Sequence, residues 1–153
     1  MANVKPIPEG YHSVTPYLII DGAASAIDFY KKAFGATELF RMEHQGKIGH
    51  AEIRIGDSPV MLADQQPTMG YVGPKGLSGT PVSLMIYVPD VDTVYKRAIS
   101  AGGAELKPLQ DQFYGDRSGT LKDPYGHVWT IATHKEDVTP EEMDKRIAAA
   151  HHG

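Results

Sequence analysis

With 153 residues, 41% of them hydrophobic and 22% charged, the chain has the length and composition of one soluble globular domain with a sizeable core. A formal charge of −4 with scattered Lys and Arg argues against a nucleic-acid groove, and no apolar run approaches the roughly 18 to 20 residues of a membrane span. Cysteine is absent, which excludes disulfides, thiolate nucleophiles and thiolate metal sites, so any metal would need His and carboxylate ligands. The start MANVKPIPEG has neither a basic region nor an apolar signal core. The default is therefore a cytoplasmic protein whose partners are small molecules or protein.

Residues 1–10 carry Pro6, Pro8 and Gly10 and read as an extended arm. Residues 12–20 are strand-like, with Val14, Leu18 and Ile20 on one face and Thr15 and Tyr17 on the other. Asp21-Gly22 then opens a helix to Phe34, whose Ala23, Ile27, Tyr30 and Phe34 form a stripe, and Gly35 ends it. Three strands are expected over 37–42, 47–55 and 59–63, separated by the turn pairs Gln45-Gly46 and Gly56-Asp57. Residues 65–81 hold four Gly and three Pro with no periodicity and read as a linker or lid.

The second half repeats the first. A strand is expected over 82–88, Asp90 caps a helix with Val91, Val94, Tyr95, Ala98 and Ile99 at helical spacing, and Gly102 ends it. Strands follow over 105–109, 115–122 and 127–133. Tyr30-Lys31-Lys32-Ala33-Phe34 is answered by Tyr95-Lys96-Arg97-Ala98-Ile99, so the pattern is a duplicated βαβββ unit, 12–64 and 82–134, within a single domain. Thr139-Pro140-Glu141-Glu142 is a capping box that starts a C-terminal helix over 139–150. Its apolar face, Met143 and Ile147, is thin, which suggests packing on another subunit or over the lid.

The stretch from Asp111 to Trp129 is the most polar strand region. Alternation puts Asp116, Ser118 and Thr120 on one face and Arg117 and Leu121 on the other, with Asp123-Pro124-Tyr125-Gly126 as the turn and Trp129 in the core. Arg117 could clamp a carboxylate or hold the hairpin through a salt bridge. His50 and Glu52 are two apart on one strand and share a face, with Arg54 continuing the row, while His127 belongs to the other unit. Two imidazoles and a carboxylate suffice for acid–base work or for a metal. The same residues also read structurally: His50 on a surface strand, Glu52 paired with Arg54 or Arg117, and His127 packed at the turn.

Tandem βαβββ units with a closing hairpin of the form Asp-Pro-x-Gly-His-x-Trp resemble the vicinal oxygen chelate superfamily, which includes glyoxalases, bleomycin-resistance proteins and dioxygenases. Thr15-Pro16-Tyr17-Leu18, Ile27-Asp28-Phe29-Tyr30, Gly49-His50-Ala51-Glu52-Ile53 and Gln112-Phe113-Tyr114-Gly115-Asp116-Arg117-Ser118-Gly119 are similar to blocks of its PhnB-like branch. The resemblance spans residues 12 to about 147 and implies an α+β fold with curled mixed sheets around a cavity, plus the C-terminal helix. It also implies ligand positions for a divalent metal at Thr15, Met61, Ser83 and Thr130, none of which is His or Glu. The expected cavity lining is Thr15, Tyr17, Met61, Ser83, Met85, Tyr87 and Thr130, with Asp116, Arg117, Ser118 and Thr120 as further ligand-binding groups.

Three functions follow as expectations. The first is a homodimeric small-molecule binding protein without the family's metal and with no other cofactor, sequestering an organic compound or using Glu52 as base with His50 or His127. The second is a lyase or isomerase holding Ni, Co, Mn or Zn through His50, Glu52 and His127. The third is a non-catalytic dimeric interaction module.

Overall fold

The computed structural model describes residues 4–152; of the expected N-terminal arm, residues 1–3 lie outside the described residues. The strands are β1 (Tyr17–Ile20), β2 (Thr37–His44), β3 (Lys47–Ile55), β4 (Ser58–Asp64), β5 (Ser83–Tyr87), β6 (Ala104–Asp111), β7 (Asp116–Lys122) and β8 (Val128–His134). The helices are α1 (Ala23–Phe34), α2 (Pro74–Leu77), α3 (Val91–Ser100) and α4 (Pro140–His152). Two four-stranded sheets result, ordered β1-β4-β3-β2 and β5-β8-β7-β6. In each, the first strand pairs parallel with the fourth and the other pairings are antiparallel, so both sheets are mixed and the duplication holds strand for strand. Among the described residues, no helix is long and apolar enough to cross a membrane.

Three carboxylates organise the local geometry. At the start of α1, Gly22 lies at φ 100° and has no capping side chain of its own. Asp64, at the end of β4, supplies the cap: one oxygen accepts the N–H groups of Gly22 and Ala23 at 3.1 and 2.9 Å, and the other accepts Ile48 N–H at 2.7 Å. In the second unit Asp90 caps α3 directly, accepting Thr93 N–H at 3.2 Å. Asp123 is buried and accepts four donors: Tyr30 O–H at 2.6 Å, Trp129 Nε1–H at 2.9 Å, and the backbone N–H groups of Tyr125 and His127, both at 2.9 Å. Tyr30 belongs to α1 of the first unit, so this turn of the second unit fastens the two halves together.

The same joint carries the core. Helices α1 and α3 pack on each other, and Trp129 is fully buried with its ring 4.8 Å from Phe34 and 5.3 Å from Tyr30. Leu18, Ile20, Ile53, Leu62, Leu121 and Ile131 complete one continuous cluster drawn from both sheets.

One expectation needs correction, and two gain detail. Residues 12–16 are not part of a strand: Pro16 interrupts the run, ladder pairing begins at Tyr17, and Val14 is 83% exposed. The segment 65–81, read as a linker or lid, holds short elements of its own. It contains a 3₁₀ turn at Pro67–Met69, a bridge between Gln66 and Tyr71, and α2, each too short to show a period. It is also docked, since Gln65 Oε1 accepts Gly73 N–H at 3.1 Å and a Cβ placed on Gly126 would meet Pro74 Cβ at 2.8 Å. Finally, α4 touches its own chain through Arg146, which donates to Phe113 O at 3.0 Å and pairs with Glu136 at 2.7 Å.

Replacing Asp123 with Ala removes the acceptor of four donors in a dry site. The expected cost is about 2 to 4 kcal/mol, read from the midpoint of urea unfolding. A midpoint unchanged from the wild type would show that the turn does not fasten the two units.

Candidate functional site

Alternation along the strands was read correctly, but its consequence differs from an enclosed cavity. Leu18 and Ile20 turn to the core, while Tyr17, Met85 and Tyr87 are 47%, 46% and 62% exposed on the opposite faces. Each sheet therefore presents an open face within the single chain, and each face carries its own polar network.

On the first sheet, Tyr17 and Glu52 both stand in register with Met61, and His50 lies two residues before Glu52 on the same face. The His50 Nε2 is 2.8 Å from Glu52 Oε2, and His50 Nδ1 is 2.8 Å from the Tyr17 hydroxyl. The second oxygen of Glu52 accepts the hydroxyl of Tyr11, which reaches it from the turn before β1. A neutral imidazole has one donor and one acceptor nitrogen. With Nε2–H facing the carboxylate, Nδ1 accepts the Tyr17 proton, and the row runs Tyr17 to His50 to Glu52. Burial, followed by the nearby Tyr71, raises the Tyr17 pKa, so the phenol stays protonated at neutral pH. Phe40, with its ring 6.2 Å from that of His50, and Met42 give this face an apolar border. Glu52 thus pairs with His50 and Tyr11, not with Arg54 or Arg117.

On the second sheet, the buried Asp116 accepts Tyr87 O–H at 2.8 Å and lies 2.8 Å from His134 Nδ1, whose Nε2 is 2.8 Å from Asp137. Ser118 accepts from Gln112 at 3.1 Å, and the hydroxyls of Thr120 and Thr130 bond each other at 2.8 Å. The hydrogen bond to Asp116, then burial, raises the Tyr87 pKa. Asp116, Ser118 and Thr120 do share a face, as expected. Asp116 and Ser118 are nonetheless buried there, and Gln112, Tyr87 and His134 supply their partners. Arg117 turns the other way. Its guanidinium holds Asp92 of α3 at 2.9 to 3.3 Å and Asp111 at 3.3 Å, so it braces the hairpin and has no part in the open face.

His127 is also placed away from the first network. It is buried, its Nε2 lies 3.0 Å from Ile19 O, and its backbone N–H is held by Asp123. The trio His50, Glu52 and His127 is therefore not assembled, and no group of three or more His, Cys, Asp or Glu side chains with metal-holding geometry occurs among the described residues. The positions that the family resemblance assigns to a metal also fail on chemistry. Thr15 precedes β1, Thr130 is bonded to Thr120, and three hydroxyls with one thioether offer no anionic or imidazole donor to a hard or borderline cation.

Between the units lies a cleft of about 910 Å³. Of the expected lining it contains Met85 and Tyr87, together with Pro16, Ile55, Leu84 and Trp129. Tyr11, the His134 and Asp137 partners beside Asp116, and this cleft escaped the sequence reading. Nothing local in the sequence marks Tyr11, which meets Glu52 across 41 residues.

Residues 11–131 match the family model described as the Glyoxalase/Bleomycin resistance protein/Dioxygenase superfamily. The chain is 40% identical to the uncharacterized protein Mb0911c of Mycobacterium bovis over 151 residues, which cover 96% of this chain and 95% of that one. Among solved structures it is similar to TioX from Micromonospora sp. ML1, with a TM-score of 0.64 at 26% identity, covering 84% of this chain and 100% of that one. A PhnB protein from Bacillus cereus has the same fold, with a TM-score of 0.63 at 22% identity over 80% of this chain and 99% of that one.

The pairing of His134 makes stability depend on pH. Hydrogen bonds to Asp137 and Asp116 raise the imidazole pKa in the folded protein, so folding favours the protonated form. That contribution is fully present below the ordinary imidazole pKa and is lost as pH rises through the raised value. The difference in Tm between wild type and His134→Gln should accordingly shrink from pH 6 to pH 9; a difference that grows with pH has the wrong sign for this pairing.

Proposed function

The chain belongs to the Glyoxalase/Bleomycin resistance protein/Dioxygenase superfamily, and within it we propose a homodimeric protein that binds a small organic molecule on the open face of its first sheet. The observation that carries this reading is the row Tyr17–His50–Glu52, with Tyr11 closing it from the other side. Four polar side chains from three parts of the chain converge on an otherwise exposed strand face bordered by Phe40 and Met42. A strand that only covers a core has no use for such an arrangement. Binding sites commonly combine an apolar wall with a few directed polar groups, and this face has both.

The chemistry available there is proton transfer. A ligand O–H or N–H that donates to the Tyr17 oxygen lets the phenolic proton pass to His50 Nδ1. The resulting imidazolium is stabilised by the Glu52 carboxylate, which accepts from Nε2, and Tyr11 keeps that carboxylate oriented. The row can thus accept a proton from a bound ligand and return it, and with a stable ligand the same groups simply hydrogen-bond it. His127, committed to Ile19 and Asp123, has no role in this scheme.

A homodimer follows from the same open faces. Tyr17, Phe40, Met42, Met85, Tyr87 and Phe113 are large apolar or aromatic side chains left exposed, and β1, β2, β5 and β6 are all edge strands. A second copy would cover these faces and convert them into walls of a closed site. Sizing chromatography with light scattering at micromolar concentration should give twice the 16.7 kDa chain mass; a clean monomer would remove this part of the reading.

Binding is tested by a thermal-shift screen of small polar organic compounds, followed by titration of the hits against wild type and Glu52→Gln. Gln keeps the size of the side chain and an acceptor for Tyr11 but removes the charge that holds the His50 proton. Hits should bind the variant about tenfold more weakly, the worth of one charge-assisted hydrogen bond. Equal affinity for both proteins would place the ligand elsewhere.

A further inference from the structure

We propose that the cleft between the 65–81 segment and the β7–β8 turn is an anion site, one that takes the phosphate or carboxylate head of a small molecule. The cleft has a volume of about 450 Å³ and is separate from the Glu52 row, which lies on the other sheet. Two lysines line it, Lys75 from α2 and Lys122 from the end of β7. In a chain with net charge −4, two ammonium groups facing one cavity are a local reversal of sign.

Neither lysine is in an ion pair among the described residues, whereas Lys31, Arg41, Arg117 and Arg146 all are. Lys75 is held near the turn, its Nζ 6.0 Å from the centre of the Tyr125 ring. Among the described residues, the one acidic side chain lining the cleft is Asp123, and its carboxylate is saturated by the four donors from Tyr30, Trp129, Tyr125 and His127. Its hydrogen-bonding capacity is thereby spent on the core, and it forms no ion pair with either lysine among the described residues. Ser78 adds a hydroxyl that makes no hydrogen bond among the described residues, and the remaining wall includes Pro74 and Val128. Two uncommitted cations, one free hydroxyl donor and an apolar wall suit an anionic head on a compact organic body.

Close contact makes the site possible. The 65–81 segment reaches the turn only because residue 126 is glycine: φ there is +97°, and a Cβ would sit 2.8 Å from Pro74. The lysines are therefore brought to one cavity by a docked segment and a turn, not by neighbouring sequence positions.

The test is isothermal titration with inorganic phosphate and, separately, with malonate, each at an ionic strength held constant with sodium chloride. Wild type should bind at least one of the two anions, and Lys75→Gln and Lys122→Gln should each weaken that binding about tenfold. Lys96→Gln, on the exposed face of α3, should bind as wild type does. Because Lys75 and Lys122 are exposed, the variants should fold, which circular dichroism verifies. Binding of phosphate alone would identify a phosphate head and binding of both a general anion site, and each supports the proposal. No binding of either anion, or undiminished binding by Lys75→Gln and Lys122→Gln, would overturn it and leave the Glu52 reading untouched.

Discussion

A carboxylate buried without a cation beside it is costly, because it gives up its hydration for a medium of low dielectric. Asp123 offsets that cost with four donors. Two come from the backbone of its own turn and make the Asp-Pro-Tyr-Gly segment rigid. The other two, Tyr30 and Trp129, come from the aromatic cluster at the joint between the units. The consequence is architectural: α1 and α3 are held together, both sheets turn their apolar faces toward one shared core, and their opposite faces are left open. Everything proposed about function depends on those open faces and on the turn that Asp123 holds. Asp64 does similar work within the first unit, where three N–H groups converge on one carboxylate to start α1 and steady β3.

The duplication and the strand faces were legible because both are periodic. Leu18 and Ile20 alternate with Tyr17, and Leu84 and Ile86 alternate with Met85 and Tyr87, so the division between core and open face could be written down before any coordinates. Distances could not. The Tyr30–Asp123 bond spans 93 residues and the Tyr11–Glu52 bond 41, and periodicity assigns a residue to a face without saying what stands opposite it. His127 shows the cost of that gap. Its residue type suggested a partner for His50, yet the turn that Asp123 organises points it at Ile19 instead. Arg117 was placed on the correct face, and Asp92 on α3 then decided between its two readings. The 65–81 segment showed no periodicity because its helical turns span only three and four residues, too few for a period to repeat.

The two open faces are not equivalent. The first carries a connected row that runs from an exposed phenol through His50 to the half-buried carboxylate of Glu52. The second spends its main carboxylate, Asp116, on Tyr87 and His134, and its threonine hydroxyls on each other. The unsatisfied polar capacity beside the second unit lies where the 65–81 segment meets the β7–β8 turn, at Lys75 and Lys122. A protein built this way can separate two tasks, hydrogen-bonding chemistry on one sheet and charge recognition beside the other.

The most direct test of the central claim, that the Tyr17–His50–Glu52 face is the seat of an organic ligand, is amide chemical-shift mapping of the wild-type protein with the tightest compound from a screen. The account predicts that the largest shifts cluster at Tyr11, Tyr17, His50, Glu52 and Met61, across β1, β3 and β4. Shifts centred on Leu84 to Val88 and Trp129, with the first sheet unperturbed, would contradict it and move the binding site to the cleft between the units.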